Sequence, residues 1–255
     1  MKKNKLNKNY DRTGWLFTIP SILIIISFVF YPMIKALITS FESGMGNNLK
    51  FVGTANYTRL FTDDIFKKAV TNTLIYLVVQ VPIMILLALF ISVMLNDKNL
   101  KLKGFFRTAI FLPCVTSLVA YSVIFKSLFS NDGLMNNLLM NIHLITTPIE
   151  WITSPFWAKI TIIIAITWRW TGYNMIFYLA GLQNIDPSIY EAARIDGATG
   201  VKQFFHITVP LLKPIILFTT VMSTTGTLQL FDEVMNITKG GPGKDRKSTR
   251  LNSSH

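Results

Sequence analysis

A polar segment separates two apolar runs at residues 181–214, where the chain reads GLQNIDPSIYEAARIDGATGVKQFFHITVPLLKP. Ser188 followed by Glu191 has the spacing of a capping box, which predicts the start of a helix. Gly197 predicts the end of that helix. Apolar residues at three-to-four spacing then predict a second short helix before Pro210. The segment is therefore predicted to be a helix–turn–helix between two hydrophobic elements.

The first helix of this segment has a surface made of small side chains, because it carries Ala192 and Ala193. Such a surface allows close approach and suits docking into a groove on a partner protein. An ordinary connector at the membrane surface is the alternative interpretation. The residues alone leave both interpretations open.

The rest of the chain has the composition of a membrane protein. Of its 255 residues, 51% are hydrophobic and 15% are charged, whereas soluble domains have roughly 25% charged residues. A bilayer core about 30 Å thick needs roughly 20 apolar residues per helix. Apolar runs of that length occur at about 15–38, 69–95, 105–129, 158–182 and 209–231. The fold class is thus predicted to be all-α, a polytopic membrane bundle with five transmembrane helices.

Basic residues are distributed in a way that predicts the orientation. The net charge of +12 comes largely from residues between the apolar runs, not from the basic stripe that indicates nucleic-acid binding. Lysine and arginine concentrate in the N-terminal arm 1–14 and in the loop after the second run, whereas residues 130–157 contain neither. The positive-inside rule therefore places the N-terminus and the loop 183–208 in the cytoplasm.

Polar side chains inside the predicted spans are candidates for a substrate pathway, because they are costly in lipid and usually face a cavity or a partner. They are Gln80, Arg169, Asn174 and Gln229. Interhelical hydrogen bonding, worth about 1–2 kcal/mol or less for each residue, is the other interpretation. Arg169 has a further one, which is pairing with a carbonyl at a helix break. The three histidines lack metal-ligand spacing, so no metal site is predicted.

The sequence contains no G-x-x-x-x-G-K-[ST] phosphate-binding loop. The chain is therefore predicted not to bind ATP itself. No cofactor and no enzymatic activity are predicted for it. An ATP-independent secondary transporter or channel would need acidic residues within the membrane, and the spans contain almost none before Asp232 and Glu233. A membrane enzyme would need a catalytic constellation. Asp132, His143 and Glu150 share one exterior loop, but their spacing matches no such motif.

A family resemblance is carried by Glu191-Ala192-Ala193, Asp196-Gly197-Ala198, Phe205, Ile207, Pro210 and Pro214. This pattern resembles the EAA loop of ABC-importer permeases. The similarity continues in FVGTANYTRLF, FFRTAIFLP, WRWTGYNMIFYLAGLQNI and LQLFDEVMNITKGGPG, and it covers most of residues 15–243. These segments are similar to the carbohydrate-uptake, MalF-like branch of binding-protein-dependent permeases.

The resemblance implies a function, a location and a set of partners. The EAA loop of the family is a coupling helix that sits in a cleft of a cytoplasmic ATPase dimer. This assigns coupling roles to Glu191, Ala192, Ala193, Asp196, Gly197 and Ala198. The resemblance also implies a second permease subunit, an extracytoplasmic solute-binding protein and a multi-pass position in the bacterial inner membrane. The chain would form half of the pathway for a sugar or related solute, and the partner ATPase would use the ATP.

The end of the sequence departs from the family pattern. Members of the family have a sixth core span after the Gly-Gly-Pro sequence, whereas residues 244–255 read KDRKSTRLNSSH. This segment is polar, too short to span a membrane, and basic on the side predicted to be exterior. We therefore expect a permease domain at 15–243 and a non-native tail at 244–255 that resembles translated adapter or vector sequence.

Overall fold

The computed structural model describes residues 5–44, 46, 48–97 and 99–240, and residues 5–12 by their backbone alone. Within these ranges the regular structure is helical apart from one short hairpin, which confirms the all-α prediction. The chain divides into two compact units, Met1–Ala69 and Val70–His255. The tail predicted at residues 244–255 lies outside the described residues.

The first unit is a long helical rod followed by the hairpin. Its elements are α1 (Lys5–Ile25), a π-helical turn (Ile26–Phe30), α2 (Tyr31–Ser40), β1 (Glu42–Ser43), β2 (Lys50–Phe51) and α3 (Ala55–Thr62). The two strands pair antiparallel. Pro20 lies inside α1, and the rod nevertheless stays helical through the first predicted span.

Asn56 and Tyr57 attach this hairpin to the end of α2. The Nδ2 group of Asn56 donates to the carbonyl oxygens of Ser40 and Glu42, both at 2.9 Å. The hydroxyl of Tyr57 shares a hydrogen bond of 2.7 Å with that of Ser40, and its ring packs on Phe41 with the centroids 5.5 Å apart. Side chains of α3 thus hold the hairpin against the C-terminal end of α2.

Long helices dominate the second unit. The helices are α4 (Asp64–Asn96, which leads in from the first unit), α5 (Lys103–Val115), α6 (Leu118–Leu128), α7 (Leu134–Asn141), α8 (Pro155–Gln183), α9 (Pro187–Ile195), α10 (Gly200–Gln203), α11 (Val209–Leu228) and α12 (Asp232–Thr238). A π-helical turn at Phe204–Thr208 joins α10 to α11. Residues Gly200–Leu228 therefore form one continuous helix of 29 residues.

The second unit is packed around α8, which contributes to three clusters of buried side chains. Tyr178 and its neighbours on α8 pack with α4 and α11. Ala165 joins an aromatic cluster from α6 and α12. Ile162 and Ile166 pack on Tyr76 of α4. The position of α8 therefore determines where the other helices lie.

Two glycines of α8 allow its neighbours to come close. A Cβ atom at Gly172 would collide with the carbonyl oxygen of Ile110 in α5, and one at Gly181 would collide with the Ile215 and Leu212 side chains of α11. Small residues at such crossings are typical of membrane helices, because van der Waals contact is a main source of attraction there.

The predicted count of five spans is not confirmed. Among the described helices, Thr13–Ser40, Asp64–Asn96 and Gly200–Leu228 are long and apolar enough to cross a membrane, and α5 with α6 makes a fourth if the bent pair is one span. The span predicted at 158–182 corresponds to α8. This helix has 29 residues and a length of roughly 43 Å, which is enough to cross a bilayer core. Its apolar run, however, is interrupted by the polar residues Arg169 and Asn174.

The span predicted at 105–129 is wrong as a continuous helix, because α5 and α6 meet at a bend of 100°. Pro113 removes a backbone donor near the end of α5. Thr116 and Ser117 then adopt extended backbone. The hydroxyl of Ser117 accepts a hydrogen bond of 3.2 Å from the amide of Ala120 and so starts α6 as a new helix.

We expect Gly172→Ala to lower the thermal stability of the protein far more than Gly226→Ala. The added Cβ at position 172 would meet backbone of α5, whereas one at position 226 has nothing within 4 Å. Overpacking of this kind costs about 1–3 kcal/mol. Melting of the detergent-solubilised protein can be followed with a thiol-reactive dye on its single cysteine, Cys114. Equal melting temperatures would contradict the close crossing of α5 and α8.

Candidate coupling helix and translocation cavity

The start of α9 differs from the predicted one. The carboxylate of Asp186 caps the helix by accepting a hydrogen bond of 2.9 Å from the amide of Ser188, and Pro187 occupies the first turn. The predicted capping box of Ser188 and Glu191 is therefore wrong, because an aspartate two residues earlier serves as the cap. This hydrogen bond lowers the pKa of the Asp186 carboxyl. At any pH above the ordinary pKa of an aspartate, the cap therefore contributes its full stabilisation to α9. This contribution is lost as the pH falls through the lowered pKa of Asp186.

Gly197 stops α9 as predicted, because the helix runs to Ile195 with Asp196 as its C-cap and Gly197 directly after it. Gly197 has a φ of +77°, a conformation that glycine adopts without strain. Its amide donates to the carbonyl of Arg194 at 3.0 Å, and the amide of Ala198 donates to the carbonyl of Ala193 at 2.8 Å. These two bonds satisfy carbonyls that the last turn would otherwise leave unpaired.

The second helix of the predicted helix–turn–helix is not a separate element. The sequence predicts a short helix followed by a span at 209–231, whereas α10 runs through the π-helical turn into α11. Pro210 lies in the first turn of α11, and Pro214 is the proline inside that helix. Pro210 follows the π-helical turn inside the continuous helix 200–228, so it does not separate a short helix from the span as the sequence predicts.

Two side-chain hydrogen bonds attach the α9 segment to this long helix. The hydroxyls of Tyr190 and Thr208 share one of 3.0 Å. The Nε2 group of Gln203 donates to the carbonyl of Ala198 at 2.9 Å. These bonds connect the α9 segment directly to the helix 200–228.

The residues predicted to couple to a partner differ in exposure. Glu191, Ala192, Asp196 and Gly197 are exposed, and Ala193 and Ala198 are half-buried. Beside them is an open groove of about 770 Å³, lined by Glu191 and Arg194 of α9 and by Asn96, Asp97 and Asn99 at the end of α4 and just after it. The structure thus leaves one face of α9 open.

A cavity of about 520 Å³ lies between α4, α8, α11 and the start of α12. Three of the four predicted pathway residues line it: Gln80 from α4, Asn174 from α8 and Gln229 after α11. Trp170 and Tyr173 of α8 add aromatic walls, with ring centroids 5.8 Å apart and planes at 90°. The cavity therefore combines amide groups with aromatic rings.

Gln80 and Asn174 also connect helices. The hydroxyl of Thr227 donates to Oε1 of Gln80 at 3.1 Å, and Nδ2 of Asn174 donates to the hydroxyl of Ser223 at 3.4 Å. Both partners belong to α11. These two residues therefore form interhelical hydrogen bonds and also line the cavity. Gln229, by contrast, is exposed.

Arg169, the fourth candidate, is not among the residues that line the cavity. Its Nη1 atom is 3.6 Å from Oε1 of Glu233 in α12, and the two side chains are only 12% and 11% exposed. Its guanidinium carbon lies 5.0 Å from the ring centre of Tyr121 and 5.4 Å from that of Trp170. The structure thus pairs Arg169 with a carboxylate and not with the carbonyl considered from the sequence.

Glu233 is the residue of the site that sequence reasoning missed. The sequence places Asp232 and Glu233 at the end of a span and gives them no role. In the structure α11 ends at Leu228, and α12 begins at Asp232 and packs against α6 and α8. The sequence does show an acidic residue near the end of one span and a basic residue inside another. Only the three-dimensional structure shows that the two side chains form a pair.

Comparison with known proteins places these features in a family. The sequence matches the family described as the binding-protein-dependent transport system inner membrane component over residues 70–252, which is more than half of the chain. The chain belongs to this family.

Relatives of this permease support the assignment. It is 57% identical over 249 residues to the lactose transport system permease protein LacF of Rhizobium radiobacter, covering 98% of the chain and 84% of the relative. It is 36% identical over 225 residues to the arabinooligosaccharides transport system permease protein AraP of Bacillus subtilis strain 168, covering 86% and 70%. A crystal structure of a bacterial alginate ABC transporter with an alginate pentasaccharide-bound periplasmic protein matches at a TM-score of 0.77 and 25% identity, covering 92% and 80%.

These comparisons confirm the function predicted from the sequence. The protein is a transmembrane permease subunit of an ABC importer, and the family is one of transport permeases. The ATP-independent transporter or channel considered from the sequence is therefore set aside. The roles of individual residues in coupling and in the substrate pathway stay predictions.

Loss of one partner of the Arg169–Glu233 pair is expected to destabilise the permease. Either Arg169→Gln or Glu233→Gln leaves a largely buried charge without its counter-charge. We expect a loss of about 1–3 kcal/mol, less than for a fully buried pair because both side chains keep some exposure. The double variant removes both charges and should lose less than the sum of the two single variants.

Melting temperatures of the solubilised permease measure this effect. Asp64→Asn is the matched control, because it removes a carboxylate that is 85% exposed and 3.9 Å from Lys67, and exposed pairs contribute little. Strictly additive losses for the two single variants would contradict direct pairing of Arg169 with Glu233.

Proposed function

We propose that the permease forms half of the pathway by which a sugar or related solute crosses the inner membrane. The supporting observation is the composition of the cavity wall. The amides of Gln80, Asn174 and Gln229 can donate to and accept from sugar hydroxyls, and the rings of Trp170 and Tyr173 offer flat apolar surfaces. A few polar groups among apolar and aromatic side chains are typical of small-molecule sites.

Lactose is the first solute to test. The names of the relatives refer to lactose and to arabinooligosaccharides, and the related crystal structure concerns alginate. Each of these is a saccharide of two or more sugar units. A cavity of about 520 Å³ fits a solute of this class.

Three kinds of protein partner follow from this proposal. A cytoplasmic ATPase dimer binds the exposed face of α9, a second permease subunit completes the pathway, and an extracytoplasmic solute-binding protein delivers the solute. The family description supports the binding protein, and the related alginate transporter was solved together with a periplasmic protein. The permease itself catalyses no reaction, and the ATPase subunit uses the ATP.

The proposed orientation places the N-terminus and α9 in the cytoplasm of a bacterial cell. Basic residues in the arm 1–14 and after the second span support it, as does their absence from residues 130–157. On this orientation α9 and the binding surface for the ATPase lie on the same side as the nucleotide.

A physical route connects α9 to the cavity. Movement of α9 acts on Thr208 through Tyr190, and Thr208 belongs to the continuous helix 200–228. The same helix carries Ser223 and Thr227, whose hydroxyls hydrogen-bond to the cavity residues Asn174 and Gln80. We propose that closure of the ATPase dimer moves this helix and so changes access to the cavity.

The coupling role predicts that Glu191→Lys abolishes ATP-driven lactose uptake. The assay uses liposomes that contain the assembled importer with its binding protein. The variant should also lose copurification of the ATPase subunit, because it reverses a charge on the exposed face of α9. Glu150→Lys, a matched reversal in the exterior loop, should keep the ATPase bound. Normal uptake and normal copurification by Glu191→Lys would overturn the coupling role.

The cavity assignment predicts that Gln229→Ala weakens lactose binding about five- to tenfold, the effect of losing roughly one hydrogen bond. Saturation-transfer NMR on the purified permease–ATPase complex, without the binding protein, measures the affinity of the pathway itself. Asn48→Ala, which removes an exposed amide from the hairpin of the first unit, should leave the affinity unchanged. Unchanged binding in Gln229→Ala would remove Gln229 from the pathway.

A further inference from the structure

Charged side chains are distributed unevenly over the cavity wall. Asp232 and Glu233 both line the cavity, whereas lysine, arginine and histidine are absent from its lining. All of the lining residues belong to the described part of the chain. The wall that this permease contributes is therefore acidic.

One of the two carboxylates is already neutralised. Glu233 pairs with Arg169 at 3.6 Å, and the same guanidinium packs against the rings of Tyr121 and Trp170. Both members of the pair are nearly buried. The charge of Arg169 is therefore committed to Glu233 and does not act as a cation in the cavity.

Asp232 differs from Glu233 both in its exposure and in its lack of a partner. The residue is exposed, and it has no ion pair with any other described residue. Asn236 donates to its backbone carbonyl at 2.8 Å, so this hydrogen bond does not involve the carboxylate. The wall therefore carries an uncompensated negative charge at Asp232.

We propose that the cavity selects uncharged saccharides over acidic ones, and that Asp232 determines this selectivity. The proposal rests on the saccharide pathway proposed above. A sugar hydroxyl donates to a carboxylate, and such charge-assisted hydrogen bonds are stronger than neutral ones. A uronate, sulfonate or phosphate group at the same place meets a like charge, and repulsion over a few ångströms is only partly screened by water and salt.

The test compares two probes of the same shape. One is lactose, and the other is lactose in which C6 of the galactose unit has been oxidised to a carboxylate. Saturation-transfer NMR on the permease–ATPase complex gives both affinities without the binding protein. The complex includes the second permease subunit, so any charge on its wall enters the measurement. We expect lactose to bind about tenfold more tightly than its acid, as expected for one like-charge contact.

Asp232→Asn should reduce this preference at least about threefold, because the amide keeps the shape of the side chain and removes its charge. Asp132→Asn, which neutralises an exposed carboxylate of the exterior loop, should leave the preference unchanged. Equal binding of the two probes, or an unchanged preference in Asp232→Asn, would overturn the inference and leave the saccharide pathway standing. If neither probe binds, the saccharide pathway fails and the inference fails with it.

Discussion

Apolar helices in a bilayer gain little by covering one another, because lipid tails are as apolar as leucine. The helices of residues 70–240 are held instead by close contact and hydrogen bonds centred on α8. Gly172 and Gly181 let the helices on either side approach, and the hydroxyls of Tyr178 and Thr219 share a hydrogen bond of 2.5 Å. Because α8 is the shared partner, its placement positions the walls of the cavity.

The continuous helix at residues 200–228 gives the permease a direct mechanical connection. One end is hydrogen-bonded to the α9 segment through Thr208 and Gln203. The other end is hydrogen-bonded to the cavity residues Gln80 and Asn174. The proposed coupling surface and the proposed substrate pathway therefore share one structural element.

The Arg169–Glu233 pair explains how a charged side chain is accommodated in the middle of a long apolar helix. An ionisable group in this setting is costly unless it is paired. The pair joins α12 to α8, and Ile237 of α12 packs into the aromatic cluster with Tyr121. Among the charged residues that line the cavity, it leaves Asp232 without an ion pair. One ion pair thus contributes both to packing and to the electrostatics proposed for solute selection.

The sequence by itself determined the membrane class and the helix stop at Gly197, because apolar length and turn chemistry depend on neighbouring residues. It also carried the resemblance to the family, in motifs such as Glu191-Ala192-Ala193. It also identified three residues of the cavity as polar groups in apolar runs. Only the structure showed that Asp186 caps α9 in place of the predicted Ser188, since both residue types are good N-caps and differ by little in free energy. It alone showed the bend between α5 and α6, the joining of α10 to α11 and the Arg169–Glu233 pair. The pair depends on packing between α8 and α12, which are distant in the chain, and no local pattern records that they meet. The bend and the joined helix follow from the local backbone at Thr116, Ser117 and Phe204–Thr208, which apolar run length does not record.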